Sequence, residues 1–322
     1  MAGLIKRTVK GKEYYYLEKP VRFGRKVIKL SLYLGKEKPS KKGLKIKEKE
    51  LEEKALEKFY KKRLDKYKSS ILTGKELAEV ERIKDNFFER FNKLSKNRKE
   101  SFYKKQAIDF VYTTLRTEGV DVGFSDVETA FQIIRDKRAE PILNSKVIIS
   151  SSMITGFNFL PKIKFGERDA LRLHGIVMSY FEDKTPGQLR DDQRIIAKYN
   201  PLTLKSEEIN YRPPPPEKVK ELFKGFFEWL EQNQNIHPLE LAALVHLKIY
   251  LIHPFKDGNK RMCRLLFNKV LQDNDYPLLN ISKETSKYFE ALIKSVETGR
   301  EKFFVKFCHK TFIEQVKNRR LM

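Results

Sequence analysis

The sequence predicts a mainly α protein, a helical bundle preceded by a basic β-hairpin and a helical hairpin. Three observations lead there. Apolar residues recur at helical spacing through most of the chain beyond residue 50. Strand-type composition with a turn signal is concentrated between residues 12 and 36. Two apolar helical stretches meet at a break that contains Pro254 and Gly258.

At 322 residues the chain is long enough to bury a large core without staples. Its two cysteines, Cys263 and Cys308, stand at neither metal nor redox spacing, so no disulfide framework and no zinc pattern is expected. No apolar run approaches the length that spans a bilayer, and "MAGLIKRTVKGKEYYY" has no long apolar stretch behind its charges. The expectation is a soluble, cytoplasmic protein that does not engage a membrane.

Taken in order, "KEYYYLEKPVRFGRKVIKLSLYLGK" reads as a basic hairpin turning at "FGRK". The net charge is +24, and the first 50 residues hold 16 Lys and Arg against 5 Asp and Glu. Such a balance fits either the Lys- and Glu-rich surface of a heat-adapted protein or a nucleic-acid-binding segment over residues 1–50, where aromatics interleave with Lys in "KEYYYLEK". Leu51, Ala55, Leu56, Phe59, Tyr60, Leu64 and Tyr67 then mark a first helix. Thr73 and Glu76 have capping-box spacing ahead of a second, striped by Leu77, Val80, Ile83, Phe87, Phe91 and Leu94. The two form a helical hairpin.

A third helix, "SFYKKQAIDFVYTTLRTEG", carries Phe102, Ile108, Val111, Tyr112 and Leu115, and Gly119 can end it in the left-handed conformation. The stretch 141–165 has no clear period. "ERDALRLHGIVMSYF" is an amphipathic helix, followed by a polar, turn-rich connection that closes in four prolines, the kind of long irregular segment where function sits. Next come "PEKVKELFKGFFEWLEQ" and "HPLELAALVHLKIYLIHPF", the latter apolar nearly all round and so central to the bundle. Helices at "KRMCRLLFNKVLQ", "SKYFEALIKSVETG" and "EKFFVKFCHKTFIEQVKN" complete the chain, without internal repeats.

The break "HPFKDGN" must be a loop that feeds a helix N-terminus, which makes it an anion site. Backbone N–H groups around Gly258, Asn259 and Lys260 lie at the positive end of the helix dipole, and Gly258 lets a phosphate approach. Arg261 and Arg264, three apart, can hold successive phosphates, as a triphosphate would present them. Asp257 offers a hard oxygen to magnesium beside phosphates. His253 is the group here that can take a proton near neutral pH. His174 and His246 read as core histidines, His237 as a helix start, and Cys263 has no signal of a nucleophile.

"HPFKDGNKRMCR" matches the Fic motif at every specified position, and the chain from about residue 106 to 315 resembles the Fic (Fic/Doc, fido) family, in the type with an N-terminal inhibitory helix. The resemblance implies a Fic-type helical bundle with a β-hairpin flap. By it the chain divides into a basic appendage (1–44), a helical hairpin (45–100), an inhibitory and N-terminal helical region (101–164) and a catalytic domain (165–316). It further implies a protein adenylyltransferase that moves AMP from ATP to a Ser, Thr or Tyr hydroxyl of a protein target. His253 would be the base, Asp257 the magnesium ligand, Asn259 and Arg261 phosphate contacts, and Arg264 the γ-phosphate contact. Tyr288 and Phe289 would flank the adenine, and Gln193, Arg194 and Ile195 of the flap would dock the target.

Thr114 and Glu118 in "TTLRTEG" resemble the family's inhibitory motif, with Glu118 restraining transfer and in some members serving the removal of AMP. Lys260 departs from most AMP-transferring members and is shared with Doc-like toxins, which transfer the γ-phosphate, so a Doc-like kinase is the alternative. A nucleic-acid-binding adaptor led by residues 1–50 is a third reading. Neither the target nor the oligomeric state is legible in the sequence.

Overall fold

The computed structural model describes residues 3–23, 26–136, 144–200, 205–283, 285–317 and 319. The chain divides into two compact units, residues 1–83 and 84–322.

The first unit opens with β1 (Gly3–Val9), β2 (Lys12–Phe23) and β3 (Lys26–Gly35), an antiparallel sheet in that order. The sequence reading found β2 and β3 but not β1, whose "GLIKRTV" carries little buried surface to give it a pattern. The turn residues Gly24 and Arg25 of "FGRK" lie outside the described residues. Alternation splits the sheet: Leu17 is buried on one face, where helix α1 (Lys41–Leu64) packs with Leu51 and Ala55. Lys19 of β2 reaches Glu48 of α1 at 2.8 Å and also pairs with Glu52. Ser40 caps α1 by accepting from the Gly43 N–H at 3.1 Å. Helix α2 (Gly74–Asn92) starts on the reciprocal box that its sequence announces: Thr73 N–H donates to Glu76 at 2.8 Å, and Glu76 N–H donates to Thr73 Oγ1 at 3.3 Å.

The second unit is helical. Phe87 and Phe91 meet Phe102 of α3 (Lys96–Thr117), and Gly119 ends that helix with φ +79°. Helices α4 (Phe124–Asp136) and α5 (Ser145–Phe159) follow. Residues 141–143 lie outside the described set, but most of the stretch without a period is α5. Its buried residues, Val147, Ile149, Ser150, Met153, Ile154 and Gly156, occupy one half of the helix, but Ser150 and Gly156 interrupt that face while Ile148 and Phe159 lie on the other, so no apolar stripe stands out in the sequence. α6 (Glu167–Val177) stops four residues before the sequence reading placed its end, which turns Met178 toward the site described below.

After β4 (Ala197–Asn200) and β5 (Lys205–Glu208), an antiparallel pair, come α7 (Pro216–Gln232), α8 (Pro238–Ile252) and α9 (Asn259–Asp273). α10 (Thr285–Thr298) and α11 (Lys302–Lys317) close the bundle. α8 is buried along nearly its whole length and packs on α9, so the loop that joins them is fixed at both ends in the core. Among the described residues no helix is long and apolar enough to cross a membrane.

Candidate active site

α8 ends at His253, whose backbone is left-handed (φ 50°, ψ 57°), and Pro254 forbids another turn. The chain re-enters a helix at Asn259 with Gly258 at the cap, φ +75°. A Cβ at Gly258 would stand 2.7 Å from Met178 Sδ, so both conformation and space demand glycine.

Four side chains hold the loop between. Asn259 Oδ1 accepts from the Phe255 N–H at 3.0 Å while its Nδ2 donates to the Phe255 carbonyl at 2.8 Å. Asn259 thus anchors the loop with one of its two amide N–H donors, and the second Nδ2–H and its backbone N–H are what it can offer an anion. His174 accepts from the Gly187 N–H at Nδ1 (2.9 Å), which fixes the proton on Nε2, 3.1 Å from the Asp257 carbonyl. Its ring lies flat on Phe255, centroids 3.7 Å apart, and burial lowers its pKa to about 4. Arg190 donates from Nε to the His253 carbonyl (2.7 Å), from Nη1 to Asp192 (2.6 Å) and from Nη2 to Pro214 (2.5 Å). Tyr211 donates to the Leu251 carbonyl at 2.9 Å. Sequence reasoning gave His174 no part in the site and overlooked Arg190 and Tyr211, because their partners are carbonyls far off in the chain and leave no local spacing.

His253 Nδ1 is buried in the protein without a hydrogen-bond partner among the described residues, and Nε2 is the nitrogen not so enclosed. Burial lowers its pKa to about 4, helped by the charges of Arg190, Lys260 and Arg194, so the ring is neutral and able to accept a proton. The Asp257 carboxylate accepts from the Gly258 N–H at 2.6 Å. Among the described residues it forms no ion pair, and no group of three or more metal-ligating side chains exists. A single carboxylate beside a phosphate site suits magnesium, which keeps most of its waters.

The cations behind the loop are buried. Arg261, 3 % exposed, has Nη1 2.9 Å from Met178 Sδ and its guanidinium 5.2 Å above the Phe181 ring; its Nε has no partner. Arg264 is wholly enclosed, with Nε and Nη1 unpartnered and Nη2 donating to Glu118 Oε1 and, at 3.3 Å, to the Thr114 carbonyl. Glu118 caps α3, and its other oxygen lies 3.9 Å from Lys260 Nζ. Burial alone would raise the Glu118 pKa, but Arg264, Lys260 and Arg261 outweigh it and hold the carboxyl below its ordinary value. Thr114 is fully buried and contributes its carbonyl, not its hydroxyl. The end of α3 is positioned by Thr113 Oγ1, which donates to Asn280 Oδ1 at 2.9 Å.

Tyr288 is a correction to the sequence reading. It is fully buried, with its hydroxyl 3.0 Å from His246 Nε2 and its ring 5.8 Å beneath the Arg264 guanidinium, so it floors the arginine and presents no face to a base. Phe289 is half-buried, with Lys260 Nζ 5.4 Å over its ring. Gln193, Arg194 and Ile195 precede β4 and stand outside the hairpin strands. Gln193 donates to the carbonyls of Arg194 and Pro213, Arg194 pairs with Asp192 at 2.7 Å, and Ile195 is 62 % exposed. Residues 201–204 of the long flap segment lie outside the described set. Cys263 is buried and its thiol is pushed far up, which leaves it inert.

Residues 164–271 match the sequence model of the Fic/DOC family. Over 152 residues the chain is 31 % identical to the protein adenylyltransferase Fic of Drosophila grimshawi, covering 47 % of this chain and 29 % of that one. The Drosophila melanogaster protein of the same name is 31 % identical over 152 residues, 28 % of its length. The chain thus spans less than a third of the length of these curated relatives. Among solved structures, a C. elegans Fic-1 fragment superposes with TM-score 0.61 at 22 % identity, over 76 % of this chain and 70 % of that one. A Fic-domain signaling protein from Bacteroides thetaiotaomicron gives 0.61 at 17 % identity, over 74 % and 94 %. A neutral histidine at the end of a core helix, a glycine-capped helix N-terminus and two buried arginines in succession sit within residues 164–271, the span that is similar to the Fic/DOC family.

Proposed function

We propose that the chain transfers AMP from ATP to a hydroxyl of a protein substrate and that Glu118 restrains the transfer. The observation that carries this reading is the buried Arg261: a guanidinium 3 % exposed, without an ion pair among the described residues, beside the open N–H groups of α9. A cation so placed is costly unless an anion completes it, and a polyphosphate lying along the helix N-terminus would do so. Its terminal phosphate would then fall to Arg264, one helical turn farther in. The curated relatives named protein adenylyltransferase support the same reaction.

With the γ-phosphate on Arg264, the α-phosphate is left at the mouth of the loop, near His253. His253 Nε2 takes the proton of the acceptor hydroxyl as its oxygen attacks the α-phosphorus; the bond to the β-phosphate oxygen breaks and pyrophosphate leaves. Magnesium, when held by Asp257 and the phosphates, would offset charge on the leaving group. Positioning and charge stabilisation supply the acceleration. Ile195, exposed ahead of β4, and the backbone of Gln193 and Arg194 would align the target. Residues 165–316 form the catalytic domain in this reading, and 101–164 supply the restraint. Once free of Arg264, Glu118 is also placed to orient water for removal of AMP from a modified target.

Lys260 favours a second reading, transfer of the γ-phosphate as in Doc-like proteins. ATP labelled at the α- or the γ-phosphate separates the two. Label is expected in protein from α-labelled ATP only, and His253→Ala should abolish it while nucleotide binding persists. Label from γ-labelled ATP alone would overturn AMP transfer.

A further inference from the structure

The N-terminal sheet has a second face that no part of the AMP-transfer reading uses. We propose that this face binds single-stranded nucleic acid, with bases stacking on Tyr14, Tyr16 and Tyr33 and phosphates meeting Arg7, Lys12 and Lys29.

Register places these residues together. Arg7 lies opposite Tyr14, Ile5 opposite Tyr16, and Tyr16 opposite Tyr33, while Val9 pairs with Lys12. Paired residues of an antiparallel sheet point to one side, so these side chains share a face. The unit's own core lies on the other side, around Leu17 at 3 % exposure. The edge of this face is open, with Tyr33 53 % and Val27 49 % exposed, while Tyr14 and Tyr16 are half-buried. Its rings form a connected platform, with Tyr33 5.9 Å from Tyr14 and 5.5 Å from Tyr16, both at 55°. The Arg7 guanidinium lies 4.9 Å from the Tyr16 centroid.

Charge complementarity names the partner. The first 50 residues carry 16 basic and 5 acidic side chains, which favours a polyanion. Tyrosines add nothing to a purely electrostatic patch, but they offer π-faces to unpaired bases. A duplex hides those faces inside its stack, so the platform fits a single strand. Among the described residues the one acidic group on this face, Glu18, is already paired with Arg7. A phosphate would replace an exposed carboxylate there, a cheap exchange.

The test is fluorescence anisotropy of the full chain with a labelled single-stranded oligonucleotide of mixed sequence, as DNA and as RNA, and the matching duplex, over a salt series. The single strand should bind at least about tenfold more tightly than the duplex. Tyr33→Ala should weaken it about five- to a hundredfold, Tyr33→Phe should retain most of it, and Arg7→Ala should lower the salt slope by about 0.7. Circular dichroism confirms the fold of each variant. Absence of binding at low salt would overturn the proposal. So would equal affinity for duplex and single strand with Tyr33→Ala silent, which would leave only a basic patch. His253→Ala should bind as the parent does, so failure of the AMP-transfer reading and failure of this one are told apart.

Discussion

Two Arg–Glu pairs in this chain have the same chemistry and opposite consequences. Arg7 and Glu18 meet on the N-terminal sheet with side chains 50 % and 33 % exposed, whereas Arg264 and Glu118 meet at 0 % and 6 %. In the first pair water and salt screen both charges, and the contact contributes about 1 kcal/mol or less. In the second, each charge is stranded in a medium of low polarisability if the other is taken away. A surface arginine is thus free to be lent to a passing phosphate. Arg264 can leave Glu118 only when another anion takes its place, and that conditional exchange is what allows a carboxylate to act as a restraint.

The sharpest way to break the contrast is to delete one arginine from each pair. Arg264→Ala should cost about 3–5 kcal/mol in urea unfolding, because buried Glu118 is left with only its 3.9 Å contact to Lys260, and should remove transfer as well. Adding Glu118→Ala should restore much of that stability. Arg7→Ala should fall within about 0.5 kcal/mol of the parent. Equal small losses for both arginines would mean that water reaches the Arg264 site freely.

Removing the restraint alone should show next. A buried Arg–carboxylate contact worth about 1–3 kcal/mol implies that Glu118→Gly raises self- and target modification roughly ten- to a hundredfold. Any Glu118-dependent removal of AMP should vanish in the same variant. Unchanged transfer at saturating ATP and magnesium would reduce "TTLRTEG" to a helix end.

Acid gives a smaller, graded effect. His174 has a folded pKa of about 4 against an ordinary value near 6.5, so the unfolded chain binds the proton first. Its contribution is therefore complete above about pH 6.5 and is lost as pH falls toward 4, at up to about 1.4 kcal/mol per pH unit. Glu118 has a lowered folded pKa, so its contribution is present above the ordinary carboxyl range and disappears only below it. Unfolding followed by pH should thus soften first between 6.5 and 4, where His253 with the same folded value adds its own share, and His174→Gln should make that limb shallower without removing it. A melt that is flat down to pH 5 would remove the neutral His174 from the account.

What the sequence made legible was what depends on fixed local spacing. The run from His253 to Arg264 is readable because a broken helix pair with glycine at the second N-terminus permits few arrangements. The Thr73 and Glu76 box is readable because three residues set its geometry. α5 escaped because Ser150 and Gly156 sit on its buried half and Ile148 and Phe159 on its outer half, which blurs the period. β1 escaped because an exposed edge strand buries too little to alternate. His174 and Arg190 act on the loop across 83 and 63 positions through backbone carbonyls, which carry no residue identity. Asn259 and Tyr288 show the converse limit: their place in a motif was readable, but which way their polar atoms point was decided by the Phe255 backbone and by His246.

The backbone at His253 sets the fold against the chemistry. A side chain held at φ 50° pays about 1–2 kcal/mol that glycine would not. The bundle would therefore tolerate or even welcome His253→Gly, the change that deletes the base. A search for heat-resistant variants that never measures modification would drift toward that substitution and collect well-folded, silent proteins. For this chain, thermal tolerance is a misleading proxy for a working site, and any engineering of it has to select on labelled product from the first round.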